Sequence, residues 1–350
     1  MVVAGERLAI DARDLKKSYF IPVRRPGLLG SLRQLVSSEA REIKAVDGIS
    51  FEIPRGQFVG YVGPNGAGKS TTVKMLSGIL HPTSGDVSVN GRSPQRERQK
   101  VTREIGVVFG QRTQLWWDLP TVDSFELLAA MYDVSRPDYK AFMRTLGELL
   151  DLDEFLDVPV RRLSLGQRMR ADLAAALIHS PSVLFLDEPT IGLDVIAKSR
   201  VREFLTKINK DQGVTILLTT HDLRDIEELC ERVMVINHGK LIYDGSLDSL
   251  RDYAGLPTVL TVKYARLPAG LAPGQYMDVD GKPRPLPGDG AWQITEVDYR
   301  SQTVAVSFDR SQSPAPRVIW AMQSLGEVRD VSLTEPLIEQ MIKRLLEKPA

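Results

Sequence analysis

The sequence predicts an α/β protein, with a parallel-sheet core, an antiparallel β portion and an inserted helical portion, followed by a small α+β C-terminal domain. Three observations predict it. A nine-residue loop, Gly63-Pro64-Asn65-Gly66-Ala67-Gly68-Lys69-Ser70-Thr71, separates an apolar run from a helical one. Between residues 183 and 244 short apolar runs alternate with helical stretches, the pattern of a parallel sheet covered by helices. Beyond Leu256-Pro257 repeated prolines divide short alternating runs, and the composition changes.

Taken in order, residues 8 to 62 and 86 to 109 read mainly as short strands, with turn signals at Pro54-Arg55-Gly56, Pro82-Thr83-Ser84-Gly85 and Asn90-Gly91. Phe58-Val59-Gly60-Tyr61-Val62 reads as a buried strand and Thr72-Val73-Lys74-Met75-Leu76 as a helix. Residues 121 to 180 read as helices. Val183-Leu184-Phe185-Leu186 and Val214-Thr215-Ile216-Leu217-Leu218-Thr219 read as fully buried parallel strands. In the tail, Val259-Leu260-Thr261-Val262-Lys263 and Thr303-Val304-Ala305-Val306-Ser307 alternate as strands do, and residues 336 to 347 close with a helix. The expected domains are residues 1–250 and 256–350.

The glycine loop fulfils the phosphate-loop pattern and has the setting this pattern requires, strand before and helix after. Gly63, Gly66 and Gly68 let the backbone curl so that amide hydrogens converge on phosphates, with the helix dipole behind them. Lys69 is then expected to reach the β- and γ-phosphates of ATP, and Ser70 to offer its hydroxyl to Mg2+. A turn without a ligand is the bland reading, and the complete pattern disfavours it. The strand at 183 ends in Asp187-Glu188, which puts two carboxylates where open α/β sheets bind ligands. Asp187 suits the magnesium shell, and Glu188 suits a base or a group orienting a water on the γ-phosphate.

Order and spacing now carry a resemblance. Leu163-Ser164-Leu165-Gly166-Gln167 stands about a hundred residues after the phosphate loop and about twenty before the acidic strand. Over roughly residues 6 to 250 the chain resembles the ATP-binding subunits of ABC transporters, whose signature Leu-Ser-Gly-Gly-Gln falls there. Physically the element is a serine at a helix start, directing hydroxyl, amides and dipole at an anion, or serving as an ordinary N-cap. The resemblance implies that Ser164, Gly166 and Gln167 meet the γ-phosphate held by a second ATP-binding subunit, so that two chains, as expected for a homodimer, share each ATP. Leu165 departs from the family glycine and excludes backbone states only glycine tolerates.

The same resemblance makes Gln111 the glutamine that links the magnesium site to the membrane partner, and His221 the switch histidine at the γ-phosphate. Asp194, in Gly192-Leu193-Asp194, belongs to the loop joining the two sites, although Val195 stands where proline is common. Residues 111 to 180 then form the helical signature portion. Tyr19 is the aromatic expected to stack on adenine, with ordinary packing as the alternative. Residues 21 to 44 are an insertion by family standards. They hold Arg24, Arg25, Arg33, Arg41 and Lys44, and Leu28, Leu32, Leu35 and Val36 recur at helical spacing. A basic amphipathic helix touching lipid or a membrane partner and a solvated surface insert both remain open. Trp116-Trp117 reads either as part of a socket for a membrane partner or as core packing.

Composition fits a soluble intracellular nucleotide enzyme bound to something else, and the resemblance implies a place on the cytoplasmic face of a membrane with separate transmembrane permease subunits as partners. Lys plus Arg equals Asp plus Glu at 45 each, so no global positive field points to nucleic acid. Cys230 is the single cysteine and reads as a buried helix residue; His81, His179 and His238 read as structural. No cationic head precedes an apolar core at the N-terminus, and no run of about 18 apolar residues occurs. The tail resembles accessory regions of drug-exporter ATPases, and the segment from Gly110 to Leu119 resembles the viologen-exporter subgroup. The expected function is therefore ATP hydrolysis driving an exporter. A non-transport ABC ATPase and a regulator without turnover are the alternatives, disfavoured by the single cassette and by the presence of both Glu188 and His221. The transported substrate is not legible.

Overall fold

The computed structural model describes residues 7–22, 40–110, 112–267, 270–277, 283–284, 292–310, 312–323 and 325–347. It divides into two compact units, Met1–Gly245 and Ser246–Ala350.

The first unit runs through β1 (Leu8–Pro22), β2 (Ala40–Pro54), β3 (Phe58–Val62), α1 (Lys69–Leu76), β4 (Ser84–Val89), α2 (Arg98–Thr102) and β5 (Ile105–Phe109). It continues with α3 (Thr121–Met131), α4 (Arg136–Leu150), α5 (Leu165–Leu177), β6 (Val183–Asp187), α6 (Val195–Gln212), β7 (Thr215–Thr219), α7 (Leu223–Leu229), β8 (Arg232–Asn237) and β9 (Lys240–Ser246). One sheet has the order β5-β6-β7-β3-β8-β9, and the pairs from β5 through β8 are parallel. The other is antiparallel, in the order β2-β1-β4. Ile10, Leu15, Ile49 and Ile53 of the antiparallel sheet share one core with Tyr61, Phe185, Leu217 and Met234 of the parallel sheet. Leu184, Phe185 and Leu186 are wholly buried, each contributing about 1.5–3 kcal/mol relative to exposure. This burial fixes β6 in the sheet interior and places Asp187 at its carboxyl end, with Glu188 just beyond.

The strands of the N-terminal portion are not all short. β1 and β2 are each 15 residues long and pair from Leu8↔Pro54 to Pro22↔Ala40. Register shifts between Ala12 and Leu15 absorb the polar Arg13-Asp14 step, where Asp14 has φ 44°, so the strand bends and continues instead of ending. Part of the 21–44 insertion thus extends a hairpin; its candidate helical residues Leu28, Leu32, Leu35 and Val36 lie outside the described residues.

The second unit contains α8 (Leu247–Ala254), β10 (Thr258–Tyr264), β11 (Tyr276–Met277), β12 (Pro283–Arg284), β13 (Trp292–Asp298), β14 (Thr303–Phe308), α9 (Ala315–Gln323), β15 (Val328–Thr334) and α10 (Ile338–Glu347). Its antiparallel sheet has the order β12-β11-β13-β14-β10-β15. Alternation along β10 and β14 turns Leu260, Val262, Val304 and Val306 inward against Trp292, Val318 and Met322. Tyr264 carries its hydroxyl into this core and donates it to the Met322 carbonyl at 2.8 Å.

Candidate active site

Strands β6, β7 and β3 are neighbours and parallel, so their carboxyl ends lie along one sheet edge. The segments that begin there, 63–70, 187–190 and 219–222, build the site.

Val62 leads directly into the glycine loop and Lys69 opens α1. Gly68 caps that helix at φ 112°, and a Cβ there would lie 2.3 Å from the Ala45 carbonyl oxygen, so any side chain would push β2 away from the loop. The first turn of α1 carries no acidic residue of its own, so its positive dipole end faces the glycine loop. Lys69 is buried, and its Nζ donates to the carbonyls of Gly63 at 2.7 Å and Pro64 at 3.2 Å. Burial lowers its pKa, while the carboxylates of Glu188 and Asp187 work in the opposite direction.

Ser70 Oγ donates to Asp187 Oδ1 at 3.2 Å, and Thr219 Oγ1 donates to the same oxygen at 2.6 Å. One hydroxyl and one carboxylate are hard oxygen donors of the kind magnesium takes alongside phosphates and water, so the residues present fit that ion. A cleft of about 380 Å³ opens beside them, lined by Ser70, Lys74, Phe109, Arg112, Asp187 and Glu188. Glu188 leaves the strand in the left-handed region at φ 58°, unusual for a non-glycine residue, and its N–H donates to the Thr219 carbonyl at 2.9 Å. This turn brings its Oε1 to 2.8 Å from His221 Nε2. Lys69, Ser70, Asp187, Glu188 and His221 are thus gathered at one edge.

Other candidates stand apart. Gln111 lies outside the described residues. Ser164 is the N-cap of α5: its Oγ accepts from Gln167 N at 3.2 Å, while Gln167 Oε1 accepts from Ser164 N at 3.0 Å. Among the described residues, no hydrogen bond joins Ser164 or Gln167 to the phosphate loop. Leu165 sits in the first helical turn, and its Cδ2 covers Gly192, where an added Cβ would approach it to 2.6 Å. Gly166 rests near Ala197 of α6. Asp194 is the N-cap of α6, accepting from Ala197 N at 2.8 Å, so the cap sets this turn without a proline. The next two residues, Val195 and Ile196, are exposed by 83% and 70%, an apolar pair left uncovered by the chain itself. Tyr19 pairs across the hairpin with Ile43; its exposed ring lies under Lys17 Nζ at 5.4 Å.

Both Trp116 and Trp117 are exposed, so neither fills the core, and Arg168 stacks over Trp117 at 5.6 Å. His179 stacks on Tyr132 at 4.0 Å and holds the Ile105 carbonyl at 2.9 Å, a structural arrangement. Cys230 is buried one residue past α7, in extended backbone and outside the helix.

Two features escaped sequence reasoning. Asp172, on α5, is buried, and its Oδ1 accepts from Thr113 Oγ1 at 2.8 Å and Gln114 N at 3.1 Å. A lone acid within the run Ala171-Asp172-Leu173-Ala174-Ala175-Ala176-Leu177 was the available signal. Thr190, Thr220 and Asp225 form a second buried cluster, for which spacing in sequence gave no signal.

Phosphate loop, acidic strand end and an adjacent histidine define a nucleotide-hydrolysing ATPase of the parallel-sheet class. The comparisons specify which. Residues 46–191 match the family "ABC transporter". The chain is 34% identical over 208 residues to the ABC transporter ATP-binding protein NatA of Bacillus subtilis (strain 168), covering 59% of this chain and 84% of that protein. It is 33% identical over 303 residues to the daunorubicin resistance ATP-binding protein DrrA3 of Streptomyces coeruleorubidus, covering 86% of this chain and 91% of that protein. Among solved structures, a dimeric ATP-binding cassette in a post-hydrolysis state with ADP and Pi superposes with TM-score 0.57 at 25% identity, over 68% of this chain and 98% of that one. The chain belongs to the ABC transporter family, as an ATP-hydrolysing subunit that powers a membrane transporter. Such ATPase domains dimerise and work with transmembrane subunits. Among the described residues no helix is long and apolar enough to cross a membrane.

Proposed function

We propose that two identical copies of this chain drive export through separate membrane-spanning subunits, docked at the cytoplasmic face of the membrane. The Glu188–His221 contact at 2.8 Å, beside the Ser70–Asp187 pair, is the observation that carries the hydrolytic part. The match to a drug-resistance ATPase along 86% of the chain, including its C-terminal region, supports the export direction.

ATP lies with its phosphates along the amides of residues 63–71, with Tyr19 stacked on the adenine. Lys69 exchanges its loop carbonyls for β- and γ-phosphate oxygens, a favourable trade because the buried ammonium then gains a full negative charge. Ser70 and Asp187, with Gln111, would hold magnesium, which supplies charge neutralisation on the β- and γ-phosphate oxygens. Ser164 and Gly166 of the second copy close over the γ-phosphate, and closure moves the membrane subunits.

Glu188 then accepts a proton from a water whose oxygen bonds to the γ-phosphorus as the bond to the β–γ bridging oxygen breaks. ADP and phosphate leave, and the pair reopens. His221, bonded to the Glu188 carboxylate, keeps that group aimed and senses the γ-phosphate.

The test is tagged Glu188→Gln, captured with ATP from detergent-solubilised membranes of its own host. The amide keeps the shape and cannot take the proton, so binding and closure persist while turnover is lost. Co-purification of multi-span membrane proteins lacking their own ATPase is the expected result. Undiminished hydrolysis would remove Glu188 from its role, and recovery of soluble partners alone would overturn the transport reading.

A further inference from the structure

We infer that Asp225 is the positioning residue that holds Glu188 and His221 face to face, an inference resting on the reading of that pair as the hydrolytic one. Asp225 lies in the first turn of α7 and is wholly buried. Its Oδ2 accepts from Thr190 Oγ1 at 2.6 Å and from Thr220 Oγ1 at 2.9 Å, while its Oδ1 accepts from Arg202 Nε at 2.6 Å. Thr190 stands two residues after Glu188, and Thr220 immediately precedes His221. One carboxylate oxygen therefore ties together the two loops that carry the reacting pair.

The β6–β7 ladder ends at Asp187↔Thr219; the Glu188 N–H still reaches the Thr219 carbonyl at 2.9 Å, but His221, two residues beyond Thr219, has no strand pairing to hold it opposite the Glu188 side chain. Glu188 also sits at φ 58°, a conformation that persists in a non-glycine residue only when its surroundings hold it. Asp225 supplies that hold through its bonds to Thr190 and Thr220. A buried carboxylate is costly unless its lone pairs are filled, and here three donors fill them, so moving either loop would strip Asp225 of a partner. Asp222 extends the clamp: it accepts from Lys198 Nζ at 2.6 Å and from Arg224 N at 3.2 Å, and its own N–H donates to Thr220 Oγ1 at 3.0 Å. Lys198 and Arg202 both come from α6, the helix capped by Asp194. The loops carrying Glu188 and His221 are thereby bonded to α6, whose first residues Asp194 caps.

Valine has the shape of threonine without the hydroxyl, so Thr190→Val and Thr220→Val each cut one arm of the tie. The experiment measures kcat and KM for ATP hydrolysis, together with thermal melting, on the full chain with its membrane partners. Each valine is expected to lower kcat about tenfold or more, as a displacement near 1 Å does, with KM for ATP little changed. The double variant should fall no further than the worse single one, because both act on a single Glu–His separation. Thr190→Ser and Thr220→Ser, which keep the hydroxyl, should run near the wild-type rate. Wild-type kcat in both valine variants would overturn the inference, as would kcat and KM worsening together in step with melting, or losses that simply multiply. Glu188→Gln run in the same series separates the two readings. If it hydrolyses ATP normally, the role of the pair itself fails. If it is inactive while the valine variants run at full speed, only the tie fails.

Discussion

At Asp172 a single carboxylate is taken out of water, and burial disfavours its charged form. Burial raises its pKa from 3.8 to about 6, against the lowering effects of the Thr113 hydroxyl, the Gln114 amide and the Arg168 charge. A raised carboxylate pKa means that between those values the folded chain keeps a proton which the unfolded chain releases. The resulting stabilisation is complete below the unfolded value and lost as pH rises through about 6, leaving the ionised group costing about 3 kcal/mol at neutral pH. Thr113 and Gln114 both bond to Oδ1, an oxygen that asparagine also presents. Asp172→Asn should therefore melt at or above the wild-type temperature at pH 7.5, with a flatter profile between pH 5 and 7. Melting several degrees lower at pH 7.5 would show that the charge itself holds the segment after Gly110 to α5. The acid's odd place in an apolar helix was visible in the sequence, but its partners lie nearly sixty residues upstream and could not be named from it. The same limit applies to Asp225, whose threonines belong to two different loops.

Elements were legible where their signals are local. The strand at Phe58–Val62, the glycine loop and α1 follow one another in a single stretch, and the prolines and alternation of the tail mark out its strands. The length of β1 and β2 was hidden because polar residues at a bulge look like a turn until the partner strand is known. The start of α5 shows how an element and a site share residues. Its capping box satisfies two otherwise unpaired amides, so Ser164→Ala should cost about 1 kcal/mol of stability. Ser246→Ala removes a comparable cap, at the start of α8, far from the proposed chemistry in sequence. If Ser164 also meets the γ-phosphate on a second copy, it should lose kcat/KM well beyond the Ser246 variant at similar thermal cost. Equal kinetics in the two variants would reduce Ser164 to its cap.

At the scale of the whole molecule the central proposal is that no single chain contains a complete site. Lys69, Ser70 and Glu188 gather at one sheet edge, whereas Ser164 and Gly166 begin a different helix, and the apolar Val195-Ile196 pair stays uncovered. A second copy related by a two-fold axis would resolve both facts, covering the apolar pair and delivering each signature helix to the other's phosphate loop. Mixing two defective chains tests this. Lys69→Ala disables a phosphate loop and leaves its signature intact. Gly166→Asp sets a negative charge where a partner's γ-phosphate must approach and leaves its own phosphate loop intact; the position has room, since a Cβ there meets only Ala197 Cβ, at 3.6 Å. Each variant alone should be inactive, because both sites of its dimer are broken. An equal mixture should regain up to about a quarter of wild-type turnover, since about half the pairs are mixed and each mixed pair has one intact site of two. Recovery requires that the surviving phosphate loop and the surviving signature come from different chains. A mixture as inactive as its parents, under conditions where tagged copies demonstrably exchange, would mean that the copies do not share ATP. Exposed Val195-Ile196 would then need another partner.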